Sequence, residues 1–174
     1  MERTWEKCVE FHGHECGGLT IGYKAALYAT KLLDLDFSID AEVVCITEND
    51  ACGLDAIQVM LGCSVGKGNL LFHIRGKQAF TFYNRTKNKG VRLVLKPRPE
   101  GMTRAESFDY CQKQDPEDMF DVKEPGIALP ESARLFDSYE CEECGETTGA
   151  NWIRIEGGRK LCLDCHSKYD RFNV

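Results

Sequence analysis

The chain has 174 residues, 43% of them apolar, with 22 Lys and Arg against 28 Asp and Glu for a formal charge of -6. That is core enough for one domain of ordinary size and a small appendage, but not for two full domains. The acidic balance argues against nucleic acid or an anionic membrane surface as the main partner, and no apolar run approaches the roughly 18 residues of a membrane span.

The start, Met1-Glu2-Arg3-Thr4-Trp5-Glu6-Lys7, is too charged for a secretory leader, so the sequence reads as that of a soluble cytoplasmic protein. From Thr4 to Phe11, apolar Trp5, Cys8 and Val9 recur at helical spacing. The glycine-rich stretch from His12 to Gly18 then breaks the pattern. A second helix is expected from Leu19 to Leu33, where small residues at 22, 25, 26 and 29 require close packing against another element. Glu42 to Thr47 reads as a buried strand, and Asp50 as the N-cap of a helix from Ala51 to Leu61 closed by Gly62.

Three strand candidates follow, Leu70–Ile74, Gln78–Tyr83 and Val91–Leu95, which suggest an antiparallel meander after a β-α unit. Thr103-x-x-Glu106 signals a capping box for a helix to about Gln114, and Asp115-Pro116 opens another short helix. The expected fold is therefore α+β, a mixed or antiparallel sheet with packed helices, plus a small C-terminal zinc-binding module. The boundaries read as a core over 1–122, a connector over 123–138 and the module over 139–174.

Ten cysteines stand out in a chain that needs no crosslinks to fold. In the cytosol they point to metal binding or catalysis rather than disulfides. Cys141-x-x-Cys144 and Cys162-x-x-Cys165 are two pairs with 17 residues between them, the spacing of two zinc knuckles joined by a hairpin. Trp152 to Ile155 reads as a strand entering a turn at Gly157-Gly158. So short a segment lacks a core of its own, and a structural Zn²⁺ would supply its folding energy. Its acids outnumber its bases, counting Lys168, Asp170 and Arg171 near the end, which favours a structural or protein-docking role over DNA binding.

The second candidate centre is His12-x-His14-x-Cys16. In an extended segment these three side chains share one side and suit Zn²⁺ or another late first-row metal. Glu48-Asn49-Asp50-Ala51-Cys52-Gly53-Leu54-Asp55 adds a strand-to-helix junction, where Cys52 gains thiolate-favouring geometry and Asp55 lies one turn on. On this reading His14, Cys16 and Cys52 are ligands, with His12 a further candidate. Asp50, Asp55 and Lys67 line the pocket, a carboxylate as base and Lys67 as anion holder. Cys63 would sit roughly 16 Å from Cys52 along one helix and cannot share its ion. Gly62-Cys63-Ser64-Val65-Gly66-Lys67-Gly68 is no P-loop, because its glycine spacing is wrong and no Ser or Thr follows the lysine. Cys8, Cys45 and Cys111 lie on apolar stripes or strands and read as core.

With Gln78-Ala79-Phe80-Thr81-Phe82, the segments His12–Gly18, Glu48–Gln58 and Gly62–Asn69 together resemble the FmdE family of formylmethanofuran dehydrogenase proteins over nearly the whole chain. Gly17 stands where that family usually carries proline. The resemblance implies an α+β core, homodimerisation, a metal in the core and an appended zinc module. It further implies an association with molybdenum- or tungsten-pterin oxidoreductases of anaerobic one-carbon metabolism, as a subunit or an accessory protein. Two other functions fit the same residues: a metal-dependent enzyme acting on a small anionic substrate, and a metal- or redox-sensing module that docks a protein partner.

Overall fold

The computed structural model describes residues 3–167, and the chain divides into two units between Ala133 and Arg134. Residues 168–174, with Lys168, Asp170 and Arg171 of the module's charge count, lie outside the described residues. None of the described helices is long and apolar enough to cross a membrane.

The first unit opens with α1 (Trp5–His12), where the Thr4 hydroxyl accepts the Lys7 N–H and Gly13, at φ 90°, ends the helix in the left-handed conformation. Next comes α2 (Gly17–Leu33), two residues longer at its start than the apolar pattern indicates. Its buried stripe of Leu19, Ile21, Gly22, Ala25, Ala26, Ala29 and Leu33 packs against α3 (Gly53–Leu61) and α4 (Arg104–Lys113). The capping box of Thr103 and Glu106 forms as the sequence signals.

Behind the helices lies a five-stranded sheet of β1 (Val43–Thr47), β2 (Leu70–Phe72), β3 (Ala79–Asn84), β4 (Lys89–Leu95) and β5 (Phe120–Lys123), in the order β2-β1-β3-β4-β5. It corrects the expected meander at one point. β2 does not follow the hairpin pattern but pairs parallel with β1, Cys45 opposite Leu70, while β1-β3, β3-β4 and β4-β5 are antiparallel. The physical reason is α3: a helix between two strands returns the chain to the end it started from, so the next strand runs parallel. β5 lies where the apolar pattern shows no strand, because its solvent-side Asp121 and Lys123 mask the alternation.

Alternation sorts the sheet's two faces. Cys45, Phe80, Phe82, Val91, Leu93 and Phe120 join the helices' residues in the main core. Val44, Ile46 and Tyr83 face the other way and are covered by Leu71, Ile127 and Leu129. Tyr83 donates its hydroxyl to the Ile127 carbonyl. Cys8, Cys45, Cys63 and Cys111 are all fully buried. Burial pushes the Cys63 thiol up to about 12, and its Sγ donates to the Val43 carbonyl.

The start of α3 is a second correction. The helix begins at Gly53 with Cys52 at the N-cap, and Asp50 does not cap it. Instead the Asn49 side chain accepts the Ala51 N–H and donates to the Lys77 carbonyl, while Thr47 pairs with the Asn49 backbone. That closed loop consumes the two residues by which the helix starts late.

The second unit is two hairpins: β6 (Ser138–Glu140) with β7 (Thr147–Gly149), and β8 (Arg154–Glu156) with β9 (Arg159–Leu161). Trp152 ends a 3-10 turn rather than opening a strand. Gly157 and Gly158, at φ 57° and 81°, both take the left-handed conformation that a two-residue hairpin turn demands.

Candidate functional site

Two groups of metal-binding side chains form among the described residues, one in each unit. In the second unit the Sγ atoms of Cys141, Cys144, Cys162 and Cys165 all lie within 4.8 Å of one another. The Cys144–Cys162 separation is 3.9 Å, against a tetrahedral edge of roughly 3.8 Å for four sulfurs at zinc distance. Backbone N–H groups of Cys144, Cys162 and Glu143 hold the Cys141 thiol down to about 6, whereas Cys162 and Cys144 beside it push the Cys165 thiol up. Four thiolates this close repel one another, and a divalent cation relieves that repulsion. The donor set fits a closed structural zinc. His166 is not part of it.

In the first unit the group is His12, Cys16 and Cys52, again with all donor atoms within 4.8 Å. Backbone geometry explains how they meet. His12 is the last residue of α1, Cys16 is the N-cap of α2 and Cys52 is the N-cap of α3. The His-x-His-x-Cys segment is therefore not extended: Gly13 reverses it, and His12 comes 3.7 Å from the Cys16 Sγ through its Nε2. A sulfur and an imidazole nitrogen on one tetrahedral zinc stand roughly 3.5 Å apart. His14 is outside the group, its ring stacked on that of His12 at a centroid distance of 4.5 Å.

Three features prepare the site for a cation. The Cys16 Sγ accepts the Leu19 N–H at 3.3 Å, and Cys16 and Cys52 both sit at helix N-termini, whose dipoles favour thiolate. Burial and the neighbouring Cys16 push the Cys52 thiol up, a cost that a bound ion would cancel. Finally, the other nitrogen of His12, Nδ1, is 2.6 Å from the Asp55 carboxylate, which Gln58 also holds. This carboxylate–imidazole pairing fixes a ligating histidine's ring and raises its basicity.

Cys16 is buried, whereas His12 and Cys52 help to wall a cleft of about 420 Å³ shared with Asp50, Asp55, Gln58 and Phe72. The donor group thus opens onto this cleft. Lys67 is not on its wall: the ammonium donates to the Ser38 carbonyl at 2.7 Å and lies over the Phe37 ring, beside a separate apolar groove.

Two features carry no signal of their role in the sequence. One is Asn69, fully buried, whose side-chain amide reaches the Val43 carbonyl and whose oxygen accepts the Ser64 N–H, tying the loop after α3 to the start of β1. The other is Gly18, where a methyl group would lie 3.1 Å from the Cys52 Cβ. Neither residue type has chemistry that marks its place; only the fold reveals it.

Comparison with known proteins agrees with this architecture. Residues 134–171 match the prokaryotic dksA/traR C4-type zinc finger. A curated relative, a probable S-adenosyl-L-methionine-binding protein of Archaeoglobus fulgidus, is 28% identical over 201 residues, covering 97% of this chain and 54% of its own length. The chain thus spans about half the length of that relative. The crystal structure of an FmdE-like protein of the tungsten formylmethanofuran dehydrogenase type, from Syntrophus aciditrophicus, superposes with a TM-score of 0.70 at 25% identity, over 92% of this chain and 88% of that one. Residues 11–128 match the model of the family described as FmdE, molybdenum formylmethanofuran dehydrogenase operon, and by that match the chain belongs to the FmdE family.

Proposed function

We propose that this FmdE-family chain is a homodimeric accessory protein or subunit of a molybdenum or tungsten oxidoreductase of the formylmethanofuran dehydrogenase type. On this reading it carries a resident metal centre in its first unit and a structural zinc in its second. The observation that carries it is the His12–Cys16–Cys52 donor set backed by Asp55. Two thiolates and an imidazole suit Zn²⁺ or another late first-row ion, and a three-ligand set leaves one position for a substrate, a water or a partner's group. When bound, such an ion supplies Lewis acidity. The protein's own part is to hold the three donors, orient the His12 ring through Asp55, and present Asp50 and Gln58 across the cleft.

Family membership and the likeness to the Syntrophus protein support the oxidoreductase association; the cleft supports a second reading, that the centre itself handles a small molecule. The name of the Archaeoglobus relative adds S-adenosyl-L-methionine as a candidate for that molecule in this chain. An anionic substrate held by Lys67 fits less well, because the Lys67 ammonium is already taken by Ser38.

Elemental analysis of anaerobically purified protein tests the proposal, with Cys16→Ser and Cys52→Ser beside the wild type. About two metals per chain, falling to about one in both variants, is expected. One zinc per chain in all three samples would remove the core centre. Isothermal calorimetry with S-adenosyl-L-methionine on the metal-loaded chain tests the second reading.

A further inference from the structure

The cleft has a charge pattern that restricts what can enter it. Among the described residues its wall carries Asp50 and Asp55 and no Lys or Arg. A divalent ion with two thiolates and a neutral imidazole sums to zero, so the two carboxylates leave the cleft net negative. Asp50 is exposed, whereas Asp55 is engaged by His12 and Gln58. The remainder of the wall is apolar, with Leu54, Val65, Leu70 and Phe72. Phe72 is half exposed, and an aromatic face of that kind attracts a cation.

We infer that the cleft takes a small ligand bearing both a metal-binding atom, thiol or amine, and a separate cationic group. The donor atom completes the coordination begun by His12, Cys16 and Cys52, and the cationic group lies against Asp50. The inference rests on the metal reading above and narrows it, since it excludes carboxylate- and phosphate-bearing ligands at the same position. A short hydrocarbon between the two groups matches the apolar wall.

The test uses the full chain loaded with Co²⁺, whose sulfur-to-cobalt charge-transfer and d–d bands report the coordination of the ion. Three thiols are titrated: cysteamine, 2-mercaptoethanol and 3-mercaptopropionate, which carry a cation, no charge and an anion. Cysteamine is expected to bind at least about tenfold more tightly than 3-mercaptopropionate. Asp50→Asn should compress that ratio several-fold and Asp50→Glu should restore it. Comparing the ratio between wild type and variant cancels the different acidities of the thiols. A preference for 3-mercaptopropionate, a ratio indifferent to Asp50→Asn, or no spectral response to any thiol would overturn the inference. The metal reading fails by a different result: cobalt spectra of Cys16→Ser and Cys52→Ser that are identical to the wild type.

Discussion

Gly22 of α2 and Gly53 of α3 meet backbone to backbone, so closely that a methyl group on Gly22 would lie 1.9 Å from the Gly53 carbonyl oxygen. This contact brings the N-termini of the two helices, and with them Cys16 and Cys52, to one point. Gly22→Ala should force the helices apart, costing about 3 kcal/mol of stability as an overpacked contact without room to relax. Metal content of the first unit should fall in the same variant. Chemical denaturation paired with elemental analysis checks both, and a variant that is destabilised yet keeps its full metal content would contradict the geometric link.

Asp55 acts on the centre through His12 rather than by touching the ion. Asp55→Asn keeps the shape of the side chain and removes the charge. Cobalt affinity of the core site should drop by about 10- to 100-fold, the usual effect of removing a carboxylate behind a ligating histidine. Competition against a chelator of known affinity measures it. An unchanged affinity would mean that the 2.6 Å contact is incidental.

Away from the site, Glu48 is buried and accepts two hydrogen bonds from Arg92, at 2.5 and 2.9 Å. Arg92 holds the Glu48 carboxyl below its ordinary value of 4.5. A carboxyl whose folded pKa is depressed stabilises the protein above its unfolded pKa, and that stabilisation is lost as pH falls through the folded value. Glu48→Gln strands the Arg92 charge and should cost about 3 kcal/mol near neutral pH. The gap between wild type and variant should close as pH falls below about 4.5, because wild-type Glu48 is then itself protonated. Urea unfolding across that range tests the sign, and a gap that widened in acid would refute it.

The chain's two tryptophans, Trp5 and Trp152, fall one in each unit. In a Trp5→Phe background, fluorescence therefore reports the cysteine module alone. Chelation or Cys162→Ser should shift the Trp152 emission to longer wavelength and lower its anisotropy, because the module's own buried apolar residues are few and the ion supplies its folding energy. Emission insensitive to strong chelators would show that the hairpins hold without metal.

Local signals account for what is legible in the sequence. Apolar periodicity locates α1, α2 and α4, the small residues of α2 announce a close helix contact, and the cysteine spacing gives the four-thiol group whole. The donors His12, Cys16 and Cys52 are all among the candidates, but their convergence is not readable, since it depends on the left-handed turn at Gly13 and on the crossing of α2 with α3. The parallel pairing of β2 is hidden for the same reason: partner choice in a sheet is settled by the path of the chain in space, and the intervening α3 decides it. Asp50 shows the limit of type-based reading. It has the right side chain for a cap, yet the neighbouring Asn49 fits the loop first.

The cover that Ile127 and Leu129 provide over Val44, Ile46 and Tyr83 has a practical bearing on where the first unit can be cut. A fragment ending with the last strand, at Lys123, would lose that cover and leave a bare β-branched and aromatic surface in water. Such a fragment should precipitate or self-associate however well its helices are packed. Carrying the chain on to Ala133 keeps the surface shielded, so the stretch after β5 belongs to the folded body and is not a disposable tether.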